Sequence, residues 1–257
     1  MKKKLLIVVK SYPLPSNKYN ELVCTAAVDE TGQFHRLYPV SYRYMPWDQW
    51  YAKYQWVEVE LKRNPTDPRP ESYRPEDATF VKIGAPLSTE NGSWNERRRY
   101  VLAQGAQTMC ALEQQSQRVK SLGIVRPLTV KRMLSEPTDR EWKSRWVKNL
   151  DQLKLFEPER KRLEKIPYKF SYEFLCEEPG CRGHRMMIED WEVGQLYLKM
   201  RDLYDEPTAV DKVKQKFFTQ MCAATRDTHF FVGTVLEMNT WVVLGVFWPK
   251  RAEAGGG

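Results

Sequence analysis

The stretch ELVCTAAVDETGQFHRLY, residues 21–38, decides how the first third of the chain folds. Two apolar runs flank the short polar segment Asp29-Glu30-Thr31-Gly32. A glycine near the end of a short loop between such runs predicts a β-hairpin, because glycine reaches backbone conformations that a tight turn needs. Upstream, Leu5-Leu6-Ile7-Val8-Val9 lies between lysines and predicts a strand buried on both faces. Downstream, Val57, Val59 and Leu61 alternate with Glu58, Glu60 and Lys62, the period of a half-buried strand. Prolines 65, 68, 70 and 75 make the following stretch an irregular loop, and Phe80 to Ile83 predicts one more short strand. Residues 1–95 therefore read as a β-rich part, a small barrel or a curled sheet.

Residues 96–165 change character. Ala, Leu, Gln, Glu, Lys and Arg dominate, and their propensities predict a basic helical middle broken at Gly123 and Pro127. Thr138-Asp139-Arg140-Glu141 fits a capping box, with Trp142, Trp146, Leu150 and Leu153 on one apolar face behind it. Residues 166–250 read as a mixed α/β part. Tyr168 to Cys176 is a strand, 188–204 and 211–224 are helices, and 230–237 with 240–247 form a hairpin. The glycines at 255–257 end a flexible tail, 251–257. The expected class is α+β, with an N-terminal β-rich part, a helical middle and a C-terminal mixed part that carries a hairpin.

The net charge is +8, but residues 97–165 alone hold 17 Lys/Arg against 8 Asp/Glu. The excess thus belongs to the middle of the chain, a better sign of a polyanionic partner than diffuse charge. Candidate nucleic-acid contacts are Arg97, Arg98, Arg99, Lys131, Arg132, Lys143, Arg145, Lys148, Arg160, Lys161 and Arg162. Such cations neutralise phosphates, and exposed aromatics can stack on unpaired bases. An acidic protein partner is the competing reading, and a solvated cationic face is the plain one. No apolar run is long enough to span a bilayer. Five scattered cysteines and no export signal point to reduced thiols in a cytoplasm.

Cys176, Cys181 and His184 lie within nine residues, in CEEPGCRGH. Short spacings across a Gly/Pro turn let soft ligands converge on one ion, and zinc takes Cys and His tetrahedrally. A fourth ligand must come from elsewhere, with Cys222, His229 or water as the candidates. With water the site would be open, and Glu177 or Glu178 could serve as base. The His-x-Glu plus Pro-Cys-x-x-Cys pairing of zinc deaminases is lacking. A metal-free turn stays open too.

A metal-dependent nuclease is the alternative from another class. Glu60-Leu61-Lys62 has the short form of the strand motif that holds magnesium in restriction-type nucleases, with Asp48 or Asp29 as the upstream acid. The competing reading makes Glu58, Glu60 and Lys62 the wet face of a strand. Glu189, Asp190 and Glu192 most simply place acids at a helix N-terminus. Phosphate-binding loops, dinucleotide fingerprints and nucleophile elbows are absent from the sequence.

The strings HRLYPV (35–40), DPRPESY (67–73), IEDWE (188–192) and LGVF (244–247) resemble those of an uncharacterised bacterial protein family. The resemblance spans most of the chain, implies a bacterial cytosolic origin and transfers no catalytic residue. The expected function is nucleic-acid binding, of DNA or RNA, by a subunit or accessory factor in bacterial nucleic-acid handling or defence.

Overall fold

The computed structural model describes residues 1–16, 20–89, 94–116, 118–147, 150, 161–236, 238 and 240–251. Its N-terminal part is a five-stranded mixed β-barrel. Strands β1 (Lys2–Lys10), β3 (Asn20–Val28), β4 (Phe34–Val40), β6 (Ser72–Pro75) and β5 (Trp56–Arg63) follow one another, and β5 closes the ring on β1. The β4–β6 pairing is parallel and the other pairings in the ring are antiparallel. Short strands β2 (Leu14–Ser16) and β7 (Val81–Ile83) are added on β3 and β5.

The predicted hairpin is β3–β4. Asp29 Oδ1 accepts from the amides of Thr31 and Gln33, and Gly32 takes a φ of 81°. A Cβ at Gly32 would stand 2.5 Å from that of Ala103, so the glycine is required for packing as well as for the turn.

Residues 5–9 are all buried, as their doubly apolar run predicts. Leu5 and Ile7 point into the barrel with Leu37, Val57, Val59 and Leu61. Leu6 and Val8 point outward and meet Phe231, Val242 and Leu244. The outward side chains thus pack the barrel on a second sheet, β8 (Leu122–Val125), β12 (His229–Val235) and β13 (Thr240–Phe247). Phe230, Val232, Val243 and Val246 of that sheet join a third core with a third sheet, β9 (Pro127–Pro137), β10 (Tyr168–Cys176) and β11 (His184–Met187). Helices α3 (Trp191–Arg201) and α4 (Glu206–Lys214) share this core through Val193, Tyr197, Ala209 and Val213. The molecule is a β-rich α+β fold.

Among the described residues the expected helical middle is not found. Residues 96–147 form two short helices, α1 (Asn95–Val101) and α2 (Met109–Glu113), the strands β8 and β9, and one helical turn at 144–147. Lys131, Arg132, Met133 and Leu134 favour helix locally, yet β9 pairs with β10 along its whole length. Pro137 would stop a helix at the end of this segment, and tertiary pairing overrides the remaining propensity. The expected capping box is not used, since the helical turn starts at Ser144 instead of next to Thr138. Arg160, Lys148 and Leu153 lie outside the described residues.

Farther on, the strand at 168–176 and the C-terminal hairpin match expectation. Helix α3 begins three residues later than its apolar pattern suggests. Ile188 bridges to Val243 and the Glu189 amide donates to Val243 O, so 188–190 run extended until Asp190 caps the helix.

The barrel meets β8 and β12 through a buried polar network. Arg36 donates to Ser121 O (2.7 Å), and Glu71 accepts from the Ser121 amide (3.1 Å) and hydroxyl (2.7 Å). Arg69 clamps Asp67 through Nε (2.8 Å) and Nη2 (2.6 Å) and donates to Thr234 O (2.6 Å). Two guanidiniums and two carboxylates thus balance inside the molecule, which is how buried charge is tolerated.

Candidate metal centre

Strand β10 ends at Cys176 and β11 starts at His184, so the intervening turn folds Cys181 back towards both. Gly180 (φ 79°) and Gly183 (φ 102°) take left-handed conformations, and the Cys181 amide donates to Glu178 O (3.1 Å) to close the turn. The three predicted ligands are therefore brought together. His184 Nε2 lies 3.5 Å from Cys176 Sγ and 3.3 Å from Cys181 Sγ.

The fourth member is Cys110, from α2. Its Sγ is 3.4 Å from His184 Nε2 and 3.5 Å from Cys176 Sγ, and all four donor atoms fall within 4.8 Å of one another. Zinc with its about 2.3 Å bonds to sulfur and about 2.0–2.1 Å bonds to nitrogen would set tetrahedral S···N pairs about 3.5 Å apart and S···S pairs about 3.8 Å apart. The cluster fits that ion. With four protein donors it has the closed character of a structural site, not the open position of a catalytic one.

Neither earlier candidate takes part. Cys222 Sγ points to Phe217 O (3.4 Å), and His229 Nδ1 lies 3.0 Å from Asp227 O. All five cysteines are free thiols.

The surroundings support the ligands. His184 Nδ1 lies 3.3 Å from Glu113 Oε1, so with Nδ1 protonated the ring presents Nε2 to the ion. Glu113 stands three residues after Cys110 on one helix face, so α2 supplies both a ligand and the carboxylate behind another ligand. Thr108 caps α2 through the Ala111 amide and also donates to Glu178 Oε2 (3.0 Å), tying the helix to the turn. Burial pushes the Cys110 thiol up. Burial acts the same way on Cys176, but the amides of Cys110 and Glu178 and the nearby His184 outweigh it and bring that thiol below its ordinary value. Local spacing could not reveal Cys110, which is 66 residues from Cys176.

The nuclease constellation is not assembled. Glu60 and Lys62 face outward, with Lys62 3.7 Å from Glu76. Asp29 is occupied by its own turn and by His35 (3.0 Å), and Asp48 is exposed in a short 3-10 turn. Among the described residues, the cysteine–histidine cluster is the only group of three or more donors placed to hold a metal.

The predicted nucleic-acid contacts are spread over four elements. Arg97 is drawn into a cleft, Arg98 pairs with Asp227 (2.6 Å), and Arg132 pairs with Glu173 (2.6 Å). Arg99, Lys131, Lys143, Arg145, Lys161 and Arg162 are exposed or largely so. Lys143 and Arg145 stand over the ring of Trp146, at 5.8 and 4.9 Å from its centre. Lys148 and Arg160 are outside the described residues. Among the aromatic side chains of the N-terminal part, Tyr42, Tyr51, Tyr54 and Trp56 are buried as packing, while Trp47 stays exposed.

Residues 105–256, well over half of the chain, match the family described as Domain of unknown function (DUF8757). The chain belongs to that family. The DUF8757 segment contains all four donors of the metal centre, and residues 1–103, which include the barrel, match a second Domain of unknown function (DUF8758). Among curated proteins no sequence match emerges. Among solved structures, a murine DNA-binding protein bound with double-stranded DNA is similar at a TM-score of 0.34 and 7% identity, over 100% of this chain and 99% of that one. Among the described residues of this DUF8757 member, no helix is long and apolar enough to cross a membrane.

Proposed function

We propose that this protein binds nucleic acid, and that a zinc ion at Cys110, Cys176, Cys181 and His184 fixes the C-terminal half in its binding-competent shape. The observation that carries the first part is the Lys143–Arg145–Trp146 group. Both cations are exposed, neither has a carboxylate partner among the described residues, and both lie against an aromatic ring. Cations of this kind suit phosphates, and a half-exposed indole beside them suits a base. Lys131, Lys161 and Arg99 are further exposed cations of the chain. The zinc ion acts by architecture: it ties α2 to the β10–β11 turn and so to β9, which carries Lys131. The setting that fits is that of an accessory factor in the cytoplasm.

Electrophoretic shifts with single- and double-stranded DNA and RNA test the reading, repeated over a salt series. Affinity should fall steeply as salt rises, because each neutralised phosphate returns a counterion to solution. Replacing Lys131, Lys143 and Arg145 by Ala should weaken binding and flatten the logarithmic salt slope by about one unit per lost phosphate contact. Folding should be unaffected, since none of the three is in the core. A triple variant that binds every probe like the parent, at every salt concentration, would refute the assignment.

A further inference from the structure

A cleft of about 580 Å³ opens between the barrel, the start of α1, helices α3 and α4, and the end of β13. That volume falls in the range of small-ligand sites, roughly 300–1,000 Å³. Its walls are of three kinds. Trp94 and Trp248, with ring centres 5.6 Å apart, join Leu196 and Met200 as an apolar side. Arg97, Lys212 and Lys216 form a cationic side. Glu192 is the single carboxylate.

The charges do not cancel locally. Lys53 at the cleft floor is neutralised by Glu192 (3.2 Å) and Asp190 (3.9 Å). Arg97, Lys212 and Lys216 have no carboxylate partner among the described residues. Arg97 is instead fixed by donating to Leu87 O and by lying 4.1 Å from the centre of the Tyr54 ring. Lys212 and Lys216 are four residues apart, where α4 passes into a wider π-type turn at Gln215–Gln220. Like charges at that spacing repel across one helix face, and an anion between them would relieve the repulsion. Lys216 stands 4.7 Å from the Trp248 ring centre, which brings the cationic and aromatic sides together.

We propose that this cleft binds a nucleotide, with the base against the Trp94, Leu196 and Met200 wall and the phosphate at Lys212 and Lys216. A nucleotide is the complement of the three walls: a phosphate for the lysines, a flat ring for the apolar side, and an exocyclic amine for which Glu192 is the acceptor. The assignment deepens the nucleic-acid reading if the nucleotide belongs to a strand, and stands apart from it if the nucleotide is free.

The test titrates the full-length protein with AMP, GMP, CMP, UMP and inorganic phosphate, following tryptophan fluorescence, and then with short single-stranded oligonucleotides. At least one mononucleotide should bind more tightly than phosphate alone and perturb the tryptophan signal. K212A/K216A should weaken that binding by about tenfold or more, the usual loss for charge-assisted hydrogen bonds, at unchanged melting temperature. Glu192→Gln should change the ranking among the four bases. If all four mononucleotides bind no better than phosphate, or if K212A/K216A binds them like the parent, the proposal fails. Oligonucleotide affinity that drops in K212A/K216A together with mononucleotide affinity places the nucleotide within a strand. Mononucleotide binding in a protein that shifts no oligonucleotide keeps the cleft assignment and removes the nucleic-acid function.

Discussion

Cys110→Ser is expected to abolish stoichiometric zinc binding, although Cys110 lies 66 residues from the nearest other ligand. Protein purified without chelator should carry about one zinc per chain, the occupancy of a closed four-donor site. The variant keeps three donors but loses both a bond and the closure that makes the site structural. Zinc binding in isolated zinc-finger peptides is worth about 10–16 kcal/mol. Here α2 and the β10–β11 pair already share a packed core through Met109, Leu112 and Phe174, so only part of that energy is needed to hold the fold. A loss of about 3–5 kcal/mol would lower the melting temperature by about 6–20 °C at this chain length. Cys222→Ser is the control, and it should keep its zinc. Acid should also release the metal, because protons compete for the thiolates and the imidazole. Full zinc content in Cys110→Ser, or zinc-free parent protein, would remove the centre.

The contrast between Cys110 and the other three ligands shows what the sequence could reveal. Cys176, Cys181 and His184 are legible because a Gly/Pro turn brings near neighbours together. Cys110 is set by the packing of α2 on β10 and has no local signature. The barrel strands were legible for a similar reason. The doubly apolar 5–9 run and the 56–62 alternation are dictated by burial on two faces and on one. The middle of the chain misled because its residues favour helix in isolation. What makes β9 a strand is β10, which lies some thirty residues further along, and propensity cannot see that partner. The cleft is illegible for the strongest form of this reason. Arg97, Glu192, Lys212 and Trp248 come from α1, α3, α4 and the segment after β13, and nothing in their spacing links them.

Arg69→Ala is expected to destabilise the protein by about 3–5 kcal/mol, without touching the metal centre or either candidate binding surface. Arg69 and Asp67 are 4% and 3% exposed. Truncating the arginine leaves the Asp67 carboxylate buried without its main counter-charge and also orphans Thr234 O, which Arg69 joins to the barrel. At present Arg69 keeps the Asp67 carboxyl below its usual range against the opposing effect of burial. Losing that partner turns burial into a net cost. Arg69→Lys should recover little, because an ammonium cannot make the planar double bond to Asp67 while reaching Thr234. Glu71→Gln should behave differently. Its amide keeps one acceptor for the Ser121 amide and can donate to the Ser121 hydroxyl, which then turns to accept, so the hydrogen bonds survive and the loss, about 1–3 kcal/mol, comes from removing one of the two carboxylates that balance Arg36 and Arg69. Urea unfolding of the three variants measures this directly, with zinc content as a check that the metal centre is intact. An Arg69→Ala unfolding free energy within about 0.5 kcal/mol of the parent would mean that the guanidinium is not the tie between barrel and β12, and that apolar contacts such as Leu6, Val8 and Phe231 hold the two together alone.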